Sequence, residues 1–278
     1  MPTVDIDAGV IHYETAGPAH GRPVVFVHGY TMGSSLWRPL SERLGERGLR
    51  CIAPTWPLGA HPEPMRPRTD MTLTGIAGMV DAVLTALDLD DVVLVGNDTG
   101  GVVAQLVAVD HSQRLAALVL TSCDAFEHFP PPILKPLILA AKTRATFRLA
   151  LQPLRTAAAR KQAFGALSHH DIDDLVVEWA KPALGNAAIA DDLRRLTASL
   201  RQETTLHAGA RLGEFTKPAL IAWSADDVFF PVEDGKRLAA ELPNAQLEII
   251  DGARTFSMLD QPDRLAQLVA DIAGAPTE

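Results

Sequence analysis

The sequence predicts an α/β protein with a mostly parallel, doubly wound sheet, an antiparallel hairpin at the sheet edge and an inserted helical segment. In the first half of the chain, short and continuously apolar runs alternate with longer amphipathic runs. The strand pattern then disappears between residues 126 and 212 and returns afterwards. A chain of 278 residues with 47% hydrophobic and 21% charged residues is also long and apolar enough to bury one large core.

The short apolar runs are the predicted strands, because strands covered on both faces carry apolar side chains throughout. These runs are 24–27, 51–53, 92–95, 115–120, 218–223 and 246–250. Amphipathic helices are predicted over 34–47 and 74–87, and a third helix begins just after Asp98. This alternation implies parallel strands. The opening segments 4–7 and 11–14 predict an antiparallel hairpin.

Residues 126–212 are predicted to form a helical cap that is inserted after the sixth strand of the sheet. The α/β core is then made of residues 1–125 and 213–278. The first half of the cap has a lopsided charge, since residues 128–170 contain seven basic residues and no carboxylate. Two interpretations stay open, a solvated helix face and a basic lip that attracts an anionic or amphipathic substrate.

Composition argues against several functions. The chain has 25 Lys+Arg against 34 Asp+Glu, and a net charge of −9 repels nucleic acid. Cys51 and Cys123 are too few for a disulfide framework, so we expect two buried free thiols in a reducing compartment. Residues 1–9 lack a signal-peptide pattern, and the longest apolar stretch is interrupted by a lysine and a proline. A cytoplasmic protein without a membrane span is therefore expected.

One motif carries chemistry: residues 96–101 read Gly-Asn-Asp-Thr-Gly-Gly, after an apolar strand and before an apolar helix. This order indicates a strand, a sharp turn and a helix, in which glycines make room around a strained central residue. The turn presents the Asp98 carboxylate at a helix N-terminus, where amide N–H groups favour the ionised form. The motif predicts a nucleophile elbow with Asp98 as the nucleophile. An aspartate that only caps the helix is the alternative.

On these residues the chain resembles the α/β-hydrolase superfamily over nearly its whole length. Residues 26–30, Phe-Val-His-Gly-Tyr, look like the loop that supplies the oxyanion hole in that family. The resemblance implies the α/β-hydrolase fold, with an oxyanion hole formed by the backbone N–H groups of Tyr30 and Thr99. Residues 223–227 resemble the loop that carries the acid of the triad. Asp227 is the positional match for this acid, and the neighbouring aspartate is the alternative.

The segment that ends with the family's catalytic histidine departs from the pattern. Residues 254–256 read Arg-Thr-Phe where the family has Gly-His-Phe, and no histidine follows His207. The family's triad runs in the order nucleophile, acid, histidine, so the standard triad cannot be completed after Asp227. Thr255 takes the place of the histidine. Its hydroxyl can hold a water or a substrate oxygen but cannot take a proton at neutral pH.

An aspartate nucleophile suits this incomplete triad. A serine would need a base to remove its proton, whereas an aspartate with an ordinary pKa near 3.9 is already ionised. The resemblance to haloalkane dehalogenases and epoxide hydrolases, which use aspartate, implies attack on an alkyl carbon. Hydrolysis of the resulting ester normally uses the histidine to activate water.

The substrate class stays open, because each aspartate subfamily needs residues that this chain lacks. Epoxide hydrolases resembling it use two cap tyrosines, but Tyr13 and Tyr30 are the only tyrosines and both precede the cap. Haloalkane dehalogenases place tryptophan after the nucleophile, and fluoroacetate dehalogenases place arginine there. Thr99 matches neither.

Other residues are candidates for the site. His128 is the best substitute proton carrier, because it follows Asp124 closely where the cap leaves the sheet. Asp124, at the end of the sixth strand, is either an acid of the site, as in some family members, or a hinge hydrogen-bond partner. His28 is interpreted as structural or as bordering the substrate. Three aromatic residues are either pocket-lining or core residues: Trp37, Trp56 and Phe229.

Three functions fit these observations. The first is an aspartate-dependent hydrolase of a small or medium apolar substrate. The second is a lyase, isomerase or cyclase that uses Asp98 as acid or base, and the third is a catalytically silent ligand-binding homologue. We expect a small-molecule substrate with no metal and no organic cofactor, because the glycine-rich turn matches an elbow and not a dinucleotide fingerprint. The oligomeric state is left open.

Overall fold

The computed structural model describes residues 1–274, which form an eight-stranded sheet covered by helices on both faces. The strands are β1 (Thr3–Ile6), β2 (Gly9–Ala16), β3 (Pro23–Val27), β4 (Arg50–Pro54), β5 (Val92–Asp98), β6 (Leu115–Cys123), β7 (Ala219–Ser224) and β8 (Ala245–Ile250). Their order across the sheet is β1-β2-β4-β3-β5-β6-β7-β8. The pairs β1–β2 and β2–β4 are antiparallel and all others are parallel. The predicted mostly parallel sheet with an antiparallel edge is confirmed.

Each face of the sheet carries its own apolar core. Alternate side chains of β3 divide between them, with Phe26 on one face and Val27 on the other. The helices α1 (Arg38–Glu46) and α12 (Pro262–Ile272) cover the Phe26 face. The opposite face is covered by α2 (Leu73–Ala86), α3 (Thr99–Asp110) and α10 (Val232–Glu241). This two-sided burial explains the continuously apolar strands.

One helix and two strands differ most from the predicted boundaries. The helix predicted over 34–47 starts as a 3₁₀ turn, Ser34–Trp37, and continues as α1, where a proline lies in the first turn because it needs no amide donor there. Strands β5 and β6 continue beyond their apolar runs into polar residues. The Asn97 side-chain amide donates a hydrogen bond to Thr121 Oγ1 at 3.0 Å, so these buried polar groups satisfy one another at the strand ends.

Residues 126–212 contain only helices and turns. The helices are α4 (Lys135–Ala140), α5 (Arg144–Leu151), α6 (Ala157–Phe164), α7 (Asp173–Gly185), α8 (Ala187–Ser199) and α9 (Gln202–Arg211). A short helix, α11 (Ser257–Asp260), follows β8. The helical segment contacts the rest of the chain through hydrogen bonds such as the one that Trp179 Nε1 donates to Ser35 Oγ, in the 3₁₀ turn before α1, at 2.8 Å. The division into 1–125, 126–212 and 213–278 stays a prediction.

Cys51 and Cys123 are both buried and unpaired, as expected. Within residues 1–274, none of the helices has the length and apolarity needed to cross a membrane. In the same part of the chain, no three histidine, cysteine or acidic side chains are grouped closely enough to hold a metal ion.

Candidate active site

Asp98 lies at the sharp turn between β5 and α3. Its backbone has φ 54° and ψ −135°, a conformation that a residue with a side chain rarely adopts. The helix that follows Asp98 starts close to β3, and this approach is possible because Gly100 has no side chain. A Cβ on Gly100 would lie 2.2 Å from the Val27 carbonyl oxygen. The sharp strand-to-helix turn predicted from the motif is therefore present, and it projects the Asp98 side chain from the carboxyl end of the sheet.

The Asp98 carboxylate is held by two backbone amides. Its Oδ1 atom accepts a hydrogen bond from Thr99 N at 2.6 Å and another from Tyr30 N at 3.0 Å. The loop after β3 approaches this oxygen so closely that a Cβ on Gly29 would lie 2.2 Å from it. The same two amides were expected to form an oxyanion hole. Here they bind one oxygen of the aspartate itself, and Oδ2 accepts no hydrogen bond of normal geometry within residues 1–274.

Burial dominates the electrostatics of Asp98. Removal from water raises its pKa above the ordinary value of 3.8, although the hydrogen bonds from the Thr99 and Tyr30 amides oppose this shift. The charge of Asp227 also raises the pKa of Asp98. Burial and the Asp227 charge thus oppose ionisation of Asp98, and its hydrogen bonds with Thr99 and Tyr30 favour it.

A cavity of about 260 Å³ opens beside Asp98 between the sheet and the cap. Asp98, Thr99 and Asp124 contribute its polar atoms, together with Tyr30 and Thr31. Its remaining lining comes largely from apolar cap residues: Ile133, Leu134, Leu137, Leu151, Leu154 and Phe164. No lysine, arginine or histidine lines it. The basic side chains of residues 128–170 therefore do not line this cavity, and its apolar walls suit an apolar ligand.

Asp124 is the second carboxyl group in the cavity. Its side chain is buried, and its Oδ2 atom accepts a hydrogen bond from the Thr99 hydroxyl at 2.9 Å. Gln105 also fixes this residue by donating to its carbonyl oxygen at 3.1 Å. Burial, followed by repulsion from the Asp98 charge, raises the pKa of Asp124 well above 3.8. Both effects favour the protonated form of Asp124.

Asp227 follows β7 and is anchored by its own loop. Its Oδ1 atom accepts hydrogen bonds from Phe229 N at 2.8 Å and Phe230 N at 3.0 Å. Burial raises the pKa of Asp227 despite these contacts. The alternative acid, Asp226, instead contacts His169 Nε2 at 2.9 Å on the surface. Between the two acids, the geometry turns Asp227 toward the interior.

Thr255 is fully buried behind the cavity and does not line it. Its carbonyl oxygen accepts a hydrogen bond from Asn97 Nδ2 at 2.9 Å, which ties this loop to the end of β5. The Thr255 hydroxyl is near enough to Asp227 to lower the pKa of that carboxyl group. It makes no hydrogen bond of normal geometry with Asp227 or Asp98. Asn97 Oδ1 and Asp227 Oδ2 are likewise buried without a partner in the described chain. Several buried polar atoms around Thr255 are thus left without partners among the described residues.

His128 is not brought to Asp98. Its Nδ1 atom pairs with Asp234 of α10 at 2.7 Å, its side chain is 63% exposed, and it does not line the cavity. The chain turns at Phe126, whose φ is 49°, between Asp124 and His128. The expectation that His128 carries protons for Asp98 is not supported by this geometry.

His28 and two of the three predicted aromatic residues belong to the core. His28 Nε2 accepts a hydrogen bond from Trp56 N at 2.9 Å while Nδ1 contacts the Gly29 carbonyl at 3.0 Å, and burial lowers the pKa of His28 to about 4. It is therefore a neutral support of the oxyanion loop. Trp37 stacks on Phe26 with ring centroids 4.8 Å apart, and Trp56 is equally buried. Of the three aromatic candidates, Phe229 alone lines the cavity.

The structure also identifies a supporting residue that the sequence did not indicate. The Tyr30 hydroxyl contacts Thr197 Oγ1 of α8 at 2.5 Å, and Thr197 in turn donates to the Leu193 carbonyl at 2.7 Å. This contact fixes the oxyanion loop to the cap. A threonine within an amphipathic helix carries no sequence signal for such a role.

Comparison with known proteins agrees with the observed fold. A family model described as alpha/beta hydrolase fold matches residues 22–262. The 2-hydroxy-6-oxononadienedioate/2-hydroxy-6-oxononatrienedioate hydrolase 1 of Pseudomonas putida is 27% identical over 281 residues, which cover 96% of this chain and 92% of that protein. Haloalkane dehalogenase 2 of Mycobacterium bovis is 28% identical over 285 residues, covering 97% and 93%. The crystal structure of an alpha/beta hydrolase fold protein from Burkholderia ambifaria matches with a TM-score of 0.81 at 23% identity, covering 97% of both chains.

Proposed function

The chain belongs to the α/β-hydrolase family, and from this premise we propose that it hydrolyses a small or medium apolar electrophile with Asp98 as its nucleophile. One observation carries the proposal: both amides of the oxyanion hole bind Oδ1 of Asp98. In a serine hydrolase these donors must be open to the substrate oxygen. Here the nucleophile itself occupies them, which suits attack on an alkyl carbon, where no oxyanion forms.

In the first step, Oδ2 of Asp98 attacks the electrophilic carbon. A carbon–oxygen bond forms, and the leaving group departs with the electron pair of the bond that breaks. The hydrogen bonds to Oδ1 orient the carboxylate for this attack, and the apolar cavity keeps Oδ2 poorly solvated. The product of this step is an alkyl ester of Asp98.

In the second step, water attacks the carboxyl carbon of that ester. Negative charge then develops on Oδ1, which already lies within 3.0 Å of the Tyr30 and Thr99 amides. Donors fixed around the position where charge develops stabilise the tetrahedral intermediate. Expulsion of the alcohol restores the Asp98 carboxylate, so the two amides serve both steps.

Asp124 is the proton carrier that we propose in place of the missing histidine. While Asp98 is ionised, its charge helps to keep Asp124 protonated, so Asp124 can protonate an oxygen leaving group. Once Asp98 is esterified, that repulsion disappears and Asp124 releases a proton more easily. It can then accept a proton from the attacking water and return it to the departing alcohol. Thr99, which donates to Asp124, holds the carboxyl group beside the nucleophile.

The cavity lining also bears on the substrate class. The Pseudomonas putida relative is named for hydrolysis of dienedioates, whereas the Mycobacterium bovis relative is named a haloalkane dehalogenase. A dicarboxylate buried in a site without lysine, arginine or histidine would lack a counter-charge. The lining therefore favours an uncharged alkyl electrophile for this chain.

Intact-protein mass after exposure to 1-bromohexane and to 1,2-epoxyhexane tests the proposal, with Asp98→Asn as the control. An alkyl adduct, or release of the alcohol or diol, in the wild type but not in Asp98→Asn is expected. Turnover of either probe that survives in Asp98→Asn would assign another reaction or another nucleophile. Saturable binding of both probes without adduct or product would favour a ligand-binding protein.

A further inference from the structure

A second cavity, of about 580 Å³, lies on the outer side of the cap and is lined by arginine. The loop 64–68, helix α5 and helix α8 form its walls. Six arginines line it: Arg66, Arg68, Arg144, Arg148, Arg194 and Arg195. Asp191 and Asp192 are the only carboxylates in this lining. Such a concentration of guanidinium groups is unusual on a chain whose net charge is −9.

The carboxylates around this arginine cavity do not balance its arginines. Asp191 is shared by Arg144 at 2.9 Å and Arg194 at 2.7 Å. Asp192 pairs with Arg195 at 2.5 Å. Arg66 pairs with Asp5, outside the lining, at 2.6 Å. Three carboxylates thus pair with four of the six arginines, which leaves an excess of positive charge in the arginine cavity.

Two of the arginines are left without an acidic partner. Arg68 and Arg148 form no ion pair and no side-chain hydrogen bond with any part of the chain between residues 1 and 274. They belong to different walls, Arg68 to the loop and Arg148 to α5. Arg68 has φ 69°, so the loop turns in the left-handed region at this residue. Both guanidinium groups are therefore available to a ligand.

The remaining arginines hold the walls in place. Arg195 Nη1 donates a hydrogen bond to the Thr69 carbonyl at 2.8 Å, which joins α8 to the loop before α2. Arg194 Nη1 donates to the Ala141 carbonyl at 3.1 Å, which joins α8 to the end of α4. The N-terminus of α8 opens into the cavity at Ala187 and Ala188, where the helix dipole adds positive potential. The site is thus built before a ligand arrives.

We propose that the arginine cavity binds a small polyanion that carries two or more phosphate or carboxylate groups. Guanidinium groups recognise such planar or tetrahedral oxyanions through paired N–H donors. Arg68 and Arg148 contact the anion directly, and the paired arginines supply the surrounding field. The arginine cavity shares no lining residue with the cavity beside Asp98, so this is a second site and not an extension of the first.

Calorimetric titration of the full chain with inorganic tripolyphosphate at low ionic strength tests this proposal, and citrate tests the carboxylate form. We expect one saturable site for at least one of the two anions. Arg68→Gln and Arg148→Gln should each weaken binding about tenfold, because each removes charged hydrogen bonds. Arg201→Gln changes an exposed cap arginine outside this cavity and should leave the affinity within about twofold.

Ionic strength gives a second readout, since binding through exposed charges weakens as salt is added. The proposal is overturned if neither anion binds, or if Arg68→Gln and Arg148→Gln bind as tightly as the wild type. It is also overturned if Arg201→Gln weakens binding as much as they do, because the attraction then belongs to the whole cap surface. None of these measurements depends on the reaction at Asp98.

Discussion

Asp124 and Asp227 border Asp98 in different ways, and the difference bears on where protons can move. Asp124 faces the cavity and is joined to the turn at Asp98 through the Thr99 hydroxyl. Asp227 and Thr255 do not line the cavity, and Asp227 Oδ2 and Thr255 Oγ1 lack hydrogen-bond partners among the described residues. Proton transfer is therefore expected at Asp124.

The largest expected effect comes from removing the nucleophile. Asp98→Asn keeps an oxygen that can accept from the two amides, so we expect the fold to persist while adduct formation falls at least about a thousandfold. Intact mass after timed exposure to 1-bromohexane measures this loss, and circular dichroism checks the fold. Adduct formation at an unchanged rate would show that another group attacks.

The next largest effect is expected at Asp124, where ester formation and ester hydrolysis should respond differently. Asp124→Asn removes the proposed proton carrier, so hydrolysis of the ester should slow by about a hundredfold or more. A halide needs no proton to leave, so ester formation from 1-bromohexane should change little. The ester should therefore accumulate in the variant, as followed by quenched-flow mass spectrometry. Equal decay of the ester in both proteins would exclude Asp124 from this step.

A histidine at position 255 would place a titratable ring beside Asp227. Thr255→His supplies a ring that can use the unpartnered Asp227 Oδ2 as an acceptor, and we expect ester decay at least about tenfold faster than in the wild type. Thr255→Gln is the matched control, because it adds similar bulk to this buried position without a titratable group. If Thr255→Gln accelerates decay equally, the gain reflects repacking and not proton transfer.

Asp124 should also influence stability, in a direction fixed by its pKa. The pKa of Asp124 is higher in the folded protein than in the unfolded chain, so the folded protein binds more protons between these two pKa values. The free energy of unfolding therefore falls as pH rises from 3.8 to the folded-state pKa of Asp124. Asp124→Asn removes this pH-dependent loss of stability. We expect its Tm at pH 7 to rise by at least about 2 °C, with a smaller gain at pH 4. A lower Tm at pH 7 would mean that Asp124 is ionised and well compensated in the folded state.

The smallest effect is expected at the cap hinge. His128→Ala removes an exposed ring that pairs with Asp234, so the turnover of either probe should stay within about twofold of the wild type. Steady-state rates measured between pH 6 and 8 check this. A loss of tenfold or more would return His128 to the site as a proton carrier.

The sequence predicted the parts of the site that one continuous segment builds. The run from β5 through the glycines indicates the turn at Asp98, because the glycine that lets α3 start close to β3 belongs to the same motif. The absence of histidine at position 255 was also visible, since the family pattern around it is contiguous. The orientation of His128 was not, because it depends on Asp234, 106 residues further along the chain.

Packing decides the other residues that sequence reasoning could not assign. Trp37 and Trp56 are as apolar as Phe229, but nothing in their sequence context shows which face of the sheet they enter. The arginine cavity likewise joins a loop before α2 to two cap helices. The seven basic residues of the early cap gave a signal for it, yet the structure places only Arg144 and Arg148 of that group in its walls.

The most direct test of Asp98 as the nucleophile is the mass of the peptide that contains it, after the wild-type protein reacts with 1-bromohexane in ¹⁸O-labelled water. The account predicts either a hexyl ester on that peptide or, once the ester has been hydrolysed, an ¹⁸O atom in its carboxylate. Asp98→Asn should show neither modification. Release of hexanol while the Asp98 peptide keeps its original mass would contradict the account, because water would then have attacked the substrate without a covalent bond to Asp98.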